Sequence, residues 1–570
     1  MKKYYFHVNL LLTLASLTIL NFTGGVGNRI GYFFNRTDDS VSFLIKVASF
    51  YIMGNIFAVL LRKFFKIDLT ENQKPSRGLL IFVIFTISFS IFITGFFIYL
   101  KLNYPLEDTF RVFYTAMDLL QGAKIDKGII KLIFLMLLLV AAVCFALLPI
   151  LLDIKKNKIV LSIKNIRINL IMLYPIVCTL VLVGIPCGLY EGFYMDNIVE
   201  FYKNYKAGPI DSQLYIEEYK TPKLENIVFP EKKKNLLLIF AESMETSFFD
   251  KESGGLLEKN LIPNLMELAE KNINFSHNDK VGGFEEAPGV KWTVASMLAQ
   301  FSGLPYNLMH GSRNRERTSF VPNAVTLTDV LHENQYKSLF LMGSDKAFGG
   351  RDALLETHGS VEIHDHVYYH DNNFIPQGYH VFWGFEDERL FSFAKHELET
   401  LSADEPFFLG LLTVDTHSPE GYKCEKCPST EERALKNTIL CSDKQITDFV
   451  DWCSEQSWYE DTVIAIIADH LFMGNIIPNE YKSQRRCINI FINSGKENLY
   501  GKNRRFSAFD MYPTILAAMG CTIKDNKLGF GVNLFSDEKT LLERYSIDYL
   551  NTELLTFNKQ YLELEGVLDD

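Results

Sequence analysis

Apolar and polar positions divide this chain near residue 200. Before it, five mostly apolar stretches at about 7–24, 41–61, 78–100, 128–152 and 168–189 are each close to the ~20 residues a helix needs to cross a bilayer. Lys2 and Lys3 ahead of the first stretch resemble the start of a signal peptide, but four further spans predict an anchored chain that keeps its first helix. Between the third and fourth, Phe110, Phe113, Met117 and Leu120 recur at helical spacing among Glu107, Asp108, Arg111 and Asp118, which predicts an amphipathic connector over 101–127. Residues 191–232 are polar, contain Pro209, Pro222 and Pro230, and read as a linker.

From residue 233 the texture changes. Asn235–Ala241 (NLLLIFA), 338–342, 407–414 and Thr462–Ala468 (TVIAIIA) are short continuous apolar runs, the pattern of strands buried on both faces. Helical periodicity fills 263–272, a stretch opening at Thr293, 326–335 and 431–456. This alternation predicts a doubly wound α/β domain with a mostly parallel central sheet over 233–570, carried by a five-helix transmembrane domain over 1–190.

Charge sharpens the division. The first 200 residues hold 20 Lys+Arg against 12 Asp+Glu and the remainder 37 against 56, for a net −11. An acidic domain repels phosphate backbones, so no nucleic-acid partner is expected, and the spans exclude a simple cytosolic enzyme. The 62–77 loop carries Arg62, Lys63, Lys66, Lys74 and Arg77, and the 153–167 loop Lys155, Lys156, Lys158, Lys164 and Arg167. The 25–40 loop has Arg29 and Arg36 offset by Asp38 and Asp39. The positive-inside bias makes the two basic loops and the amino terminus cytoplasmic, and five crossings place residues 190–570 outside. The span centres hold almost no ionisable groups, which argues against a transporter. Cys424, Cys427, Cys441, Cys453, Cys487 and Cys521 fall in the outer domain, where an oxidising compartment favours disulfides of open connectivity. Cys424-Glu-Lys-Cys427 has the form of half a zinc knuckle, but no second CxxC or paired His follows at a suitable spacing, so disulfides are expected.

In doubly wound sheets ligands sit beyond the carboxyl ends of the strands. The four apolar runs are followed by Glu242-Ser243, by Gly343-Ser344-Asp345 with Arg351 a little later, by Asp415-Thr416-His417, and by Asp469-His470. Glu242, Asp469 and His470 offer oxygen and imidazole ligands for a divalent cation, or else a helix cap and a solvated loop. Thr293 opens the helix TVASMLAQFSGLP. It reads as an N-cap, or as a hydroxyl at a phosphate-favouring helix terminus that a cation would turn into a nucleophile. Arg351 suits a phosphate or a surface salt bridge; His417 suits a phosphate, a leaving alcohol or a local hydrogen bond. His358, His364, His366 and His370, with Asp365 and Asp371, read as a polar loop, with a second metal site as the alternative.

The segments NLLLIFAESMETSFFD, GVKWTVASMLAQFSGLP, TVDTHSPEGYKC and IIADHLFMGN together resemble the membrane-anchored phosphoglycerol transferases. These are grouped with lipoteichoic acid synthases and lipid phosphoethanolamine transferases in the alkaline phosphatase/sulfatase superfamily. The likeness runs to the phosphoglycerol transferase I branch, which decorates osmoregulated periplasmic glucans, and the DMYPTILAAMG segment at 510–520 is similar to a late helix of these domains. The resemblance implies metal ligands at Glu242, Thr293, Asp469 and His470, with Thr293 also the nucleophile, and substrate contacts at Arg351 and His417. Around Arg351 the sequence FGGRDALLETHG puts Gly349-Gly350 where the lipoteichoic acid synthases have a tryptophan-containing pocket.

The implied reaction moves phosphoglycerol from phosphatidylglycerol to a sugar hydroxyl of a periplasmic or cell-surface glycan. It passes through glycerophosphoryl-Thr293 and releases diacylglycerol, with one divalent ion, Mn²⁺ ahead of Mg²⁺ or Zn²⁺. Tethering in the bacterial inner membrane keeps the site at the bilayer that holds its donor. A phosphoethanolamine transferase acting on a surface glycan or lipopolysaccharide is the alternative. A hydrolytic sulfatase needs a C/S-x-P-x-R context that Ser296 and Ser302 lack, and an inactive binding module would not need the full ligand set.

Overall fold

The computed structural model describes residues 208–307, 319–376, 378–401 and 406–566, and the backbone of 66–71, 157–163 and 166–169. Those last three segments are strands Lys66–Glu71, Asn157–Ile163 and Ile166–Asn169, paired antiparallel in that order. They arise from the two basic loops and the first residues of the fifth expected span. The rest of the five spans, the 101–127 connector and residues 191–207 lie outside the described residues. Among the described residues, no helix is long and apolar enough to cross a membrane.

The later domain is organised by one seven-stranded sheet. Its strands in chain order are β1 (Asn235–Ala241), β2 (Gly283–Phe284), β3 (Lys337–Met342), β4 (Glu362–His364), β5 (Phe407–Leu412), β6 (Thr462–Ala468) and β7 (Cys487–Ile492). In space they run β2-β7-β6-β1-β5-β3-β4. The five from β6 to β4 are mutually parallel, and β7 and β2 add an antiparallel edge. The mostly parallel sheet expected from the apolar runs is therefore present. Leu236 through Ala241 and Val463 through Ala468 are fully buried, which explains why these strands show no polar alternation. Gly410 lets β5 lie close to β3, because a Cβ there would meet the Phe340 ring at 2.3 Å.

The helices used below are α1 (Pro263–Lys271), α2 (Thr293–Ser302), α3 (Leu327–Glu333), α4 (Arg351–Thr357), α5 (Asp387–Thr400), α6 (Ala434–Ser454) and α7 (Met511–Ala518). α1 and α5 pack on α6, and α2 packs on α7. Buried Asp443 of α6 accepts from the Asn264 N–H at 3.1 Å and the Leu265 N–H at 2.7 Å, so it satisfies the open donors at the start of α1. The stretch expected as a linker is partly structural. Gln213–Glu218 is helical, and Tyr215 is buried with its hydroxyl donating to Leu554 O at 3.0 Å. Ile227-Val228 pairs with Thr522-Ile523.

The disulfide expectation is not met: all six cysteines of the domain are buried free thiols. Cys453, Cys487 and Cys521 sit in the main core, whereas Cys424, Cys427 and Cys441 form a small cluster of their own.

Candidate active site

Strand register brings the first three site residues together. Ala241 pairs with Ala468, so the chain leaves β1 and β6 side by side and delivers Glu242 and Asp469-His470 to the same edge. Short polar contacts then fix them. Ser243, with a left-handed φ of 57°, donates its N–H to Asp469 Oδ1 at 2.8 Å and its hydroxyl to Glu242 Oε1 at 2.6 Å. From beyond β5, Thr413 Oγ1 accepts from the Glu242 N–H at 2.8 Å, and the Thr416 hydroxyl donates to Glu242 O at 2.6 Å.

His470 is held by its backbone N–H to Asp469 Oδ1 at 2.8 Å and by Nδ1 to Leu471 O at 2.8 Å. With Nδ1 donating, the neutral ring carries its lone pair on Nε2. That nitrogen lies 3.2 Å from Asp469 Oδ2, 3.7 Å from Glu242 Oε1 and 3.4 Å from Thr293 Oγ1. Trp292, not Thr293, is the N-cap of α2. The N-cap reading of Thr293 therefore fails, and its half-buried hydroxyl faces the histidine at the helix's first turn, where the open N–H groups favour an anion.

The donor set fits a divalent cation. Glu242, Asp469 and His470 are buried with ligand atoms all within 4.8 Å of one another, and Asp469 Oδ2 has no hydrogen-bond partner. Two carboxylates and an imidazole lone pair converging in a buried pocket repel unless a positive charge joins them. Burial first, and then the Asp469 charge, push the Glu242 carboxyl well above its ordinary value, which records the same conflict. Behind this group Glu245, fully buried, grips Arg485 with two contacts of 2.7 Å, and Arg485 donates to Phe472 O at 2.7 Å. This clamp ties the loop after β1 to the loop after β6.

Arg351 and His417 are joined to each other by a run of aromatic contacts through Phe348 and Trp383. Gly349 and Gly350, with φ of 73° and 78°, make the left-handed turn that starts α4. Arg351 folds back there, donating from Nε to Phe348 O at 2.9 Å and from Nη2 to Asp345 O at 2.6 Å, with its guanidinium 5.5 Å from the Phe348 ring centroid. Phe348 in turn lies 5.0 Å from Trp383, and Trp383 5.0 Å from His417. Trp383 reaches this point from a segment pinned to the end of β3 by the Phe385 N–H donating to Gly343 O at 2.9 Å. Phe382 and Tyr422 complete this aromatic wall. Sequence reading missed these aromatics; the FWGF run at 382–385 was the available signal. His417 donates from Nδ1 to Ser418 O at 2.8 Å, which puts its neutral lone pair on Nε2.

The histidines at 358–370 engage separate partners. His358 bridges Asp329 and Phe320 O, His364 bridges Glu362 and Glu397, His366 meets Tyr379 O, and His370 meets Asp371. Asp415 is more unusual, because both of its buried carboxyl oxygens lack hydrogen-bond partners. Burial and the adjacent Asp387 charge push its carboxyl up to about 10, so it is held neutral.

The chain is similar to several known proteins. Phosphoglycerol transferase I of Xanthomonas campestris is 30% identical over 345 residues, 59% of this chain and 47% of the relative. Phosphoglycerol transferase I of Escherichia coli is 30% identical over 335 residues, 56% of this chain and 41% of the relative. The chain thus matches less than half the length of these relatives. A solved integral membrane lipooligosaccharide phosphoethanolamine transferase A from Neisseria meningitidis aligns over 90% of this chain and 96% of its own, at 16% identity and a TM-score of 0.45. The Sulfatase family pattern covers residues 234–521, from the residue before β1 to three residues past α7 and just over half of the sequence, and the chain belongs to that family.

Proposed function

We propose that this protein transfers phosphoglycerol from phosphatidylglycerol to a sugar hydroxyl of a periplasmic or cell-surface glycan, with Thr293 as the nucleophile. The observation that carries this reading is the approach of Thr293 Oγ1 to His470 Nε2 at 3.4 Å, in the pocket formed with Glu242 and Asp469. The relatives named phosphoglycerol transferase I support the head group.

In this reading Glu242, Asp469, His470 and Thr293 hold one divalent ion, Mn²⁺ in the first instance. When bound, such an ion lowers the hydroxyl pKa and offsets phosphoryl charge. Thr293 Oγ attacks phosphorus and the bond to diacylglycerol breaks; diacylglycerol leaves with a proton and glycerophosphoryl-Thr293 remains. A glycan hydroxyl then attacks the same phosphorus and restores the threonine. Arg351 and His417 hold the phosphate and glycerol, since positioning and charge neutralisation are most of what phosphoryl transfer requires. The aromatic wall of Phe348, Trp383 and Phe382 excludes water from that contact. Five spans over residues 1–190 anchor the domain outside the cytoplasmic face, where a lipid donor is met without leaving its bilayer.

The test is the mass of the Thr293-containing peptide after the full chain is incubated with Mn²⁺ and phosphatidylglycerol or phosphatidylethanolamine. A glycerophosphoryl adduct from the first lipid is expected. A phosphoethanolamine adduct from the second alone would replace the head group and keep the nucleophile. No adduct and no diacylglycerol from either lipid would refute the reading.

A further inference from the structure

The cysteine cluster beside the active-site loop is not accounted for by this chemistry. Cys424 and Cys427 lie on the loop that follows β5, and the Cys427 N–H donates to Cys424 O at 3.2 Å, closing a tight CxxC turn. Cys441 reaches the same point from α6. The sulfurs of Cys424 and Cys427 are 3.5 Å apart and those of Cys424 and Cys441 3.7 Å apart. All three lie within 4.8 Å of one another, and all three residues are buried. Gln445, one helical turn after Cys441, donates to the Cys441 sulfur at 3.1 Å, and its own Oε1 is buried without a hydrogen-bond partner.

These spacings discriminate between two chemistries. A disulfide brings two sulfurs to ~2.05 Å, and three cysteines cannot pair without leaving one over. Zinc–thiolate bonds of ~2.3 Å at tetrahedral angles set sulfur–sulfur edges of about 3.8 Å. The observed 3.5 and 3.7 Å are near that edge. A CxxC turn plus a third cysteine from a helix is also a common way for a chain to present thiolates to one ion, and thiolates select soft ions over Mg²⁺ or Mn²⁺.

We propose that Cys424, Cys427 and Cys441 form a second, structural metal site that takes Zn²⁺, separate from the Glu242–Asp469–His470 group. The site clips the loop carrying His417 to α6. Tyr422, two residues before Cys424, packs on the cluster and stacks on Phe382, whose ring lies 6.3 Å from His417. A bound ion therefore fixes one side of the aromatic wall. The inference is independent of the head group transferred and of Thr293 chemistry.

The test uses the full chain purified in detergent without reductant, with Asp469→Asn introduced to remove the oxygen–imidazole site. About one zinc per chain is expected, released by a thiol-selective mercurial. Replacement by Co²⁺ should give the near-ultraviolet thiolate-to-metal charge-transfer absorption. Cys441→Ser should lose both signals, while Cys453→Ser, at a buried cysteine outside the cluster, should keep them. The cobalt spectrum is read on a chain with intact cysteines, so it decides the question even if Cys441→Ser fails to fold. A disulfide between any two of the three on peptide mapping, or three reactive thiols with no bound metal, would overturn the proposal.

Discussion

The sharpest consequence of the site geometry is that Asp469→Asn should stabilise the metal-free protein while abolishing its stabilisation by manganese. Glu242 and Asp469 place carboxylate oxygens within 4.8 Å of each other in a buried pocket. At an effective dielectric of about 20 two unit charges at that separation repel by about 3 kcal/mol. Glu242 relieves part of this by taking up a proton, as its raised pKa indicates. Asparagine keeps the Oδ1 acceptor used by the N–H groups of Ser243 and His470, so the substitution removes charge with little loss of packing. The metal-free variant should thus gain about 1–3 kcal/mol. In the wild type, an ion at one hundred times its Kd adds about 2.7 kcal/mol. Unfolding entropy of about 2.1 cal/mol/K per residue over a domain of about 360 residues converts each kcal/mol into about 1.3 °C. Manganese should therefore raise the wild-type midpoint by about 4 °C, and metal-free Asp469→Asn should melt about 1–4 °C above metal-free wild type and ignore manganese. All four tryptophans, Trp292, Trp383, Trp452 and Trp458, lie in this domain, so intrinsic fluorescence of the full chain reports its unfolding alone. Manganese is the right probe because the thiolate cluster prefers softer ions. Equal manganese shifts in both proteins, or a metal-free variant that melts below wild type, would refute the reasoning.

Three other outcomes follow from particular contacts. Thr293→Ala should abolish diacylglycerol release while shifting stability by less than about 0.5 kcal/mol, since Trp292 is the helix cap; wild-type-like release from phosphatidylglycerol would sink the nucleophile assignment. Glu245→Ala leaves the mostly buried Arg485 guanidinium without its carboxylate and should cost about 3–5 kcal/mol in urea unfolding, whereas a loss under about 1 kcal/mol would show the clamp to be dispensable. Asp415 has a folded-state pKa pushed up to about 10, so between its unfolded value near 3.8 and that point the native state binds more protons than the unfolded one. Stability should fall as pH rises, by up to about 1.4 kcal/mol per unit from this group, and Asp415→Asn should flatten the slope between pH 6 and 8; parallel profiles for the two proteins would contradict the neutral carboxyl.

Much of the domain was legible in the sequence because its central strands are buried on both faces. NLLLIFA and TVIAIIA have no polar alternation to blur their ends, and both strands begin and end where the apolar run does. The residues just beyond such runs lie at the ligand-binding edge of a parallel sheet, which is why Glu242, Asp469, His470 and His417 could be singled out one by one. Weak strands were less visible: β4 has three residues and β2 two, too few to show a period.

What the sequence by itself determined was local: strand and helix positions, the identity of the groups at strand ends, the charge division and the apolar stretches. The tertiary structure decided which groups meet. Pairing of Ala241 with Ala468 turns two separate acidic strand ends into one ligand cluster. Trp383 reaches His417, 34 positions further along the chain, because its loop is hydrogen-bonded to the end of β3. Cys441 joins the CxxC pair from a helix that begins seven residues after Cys427, so a spacing rule that looks for a second CxxC cannot see it. In each case the cause is the same. Backbone hydrogen bonding fixes strand register and loop anchorage, and those fix side-chain proximity, which no one-dimensional pattern encodes.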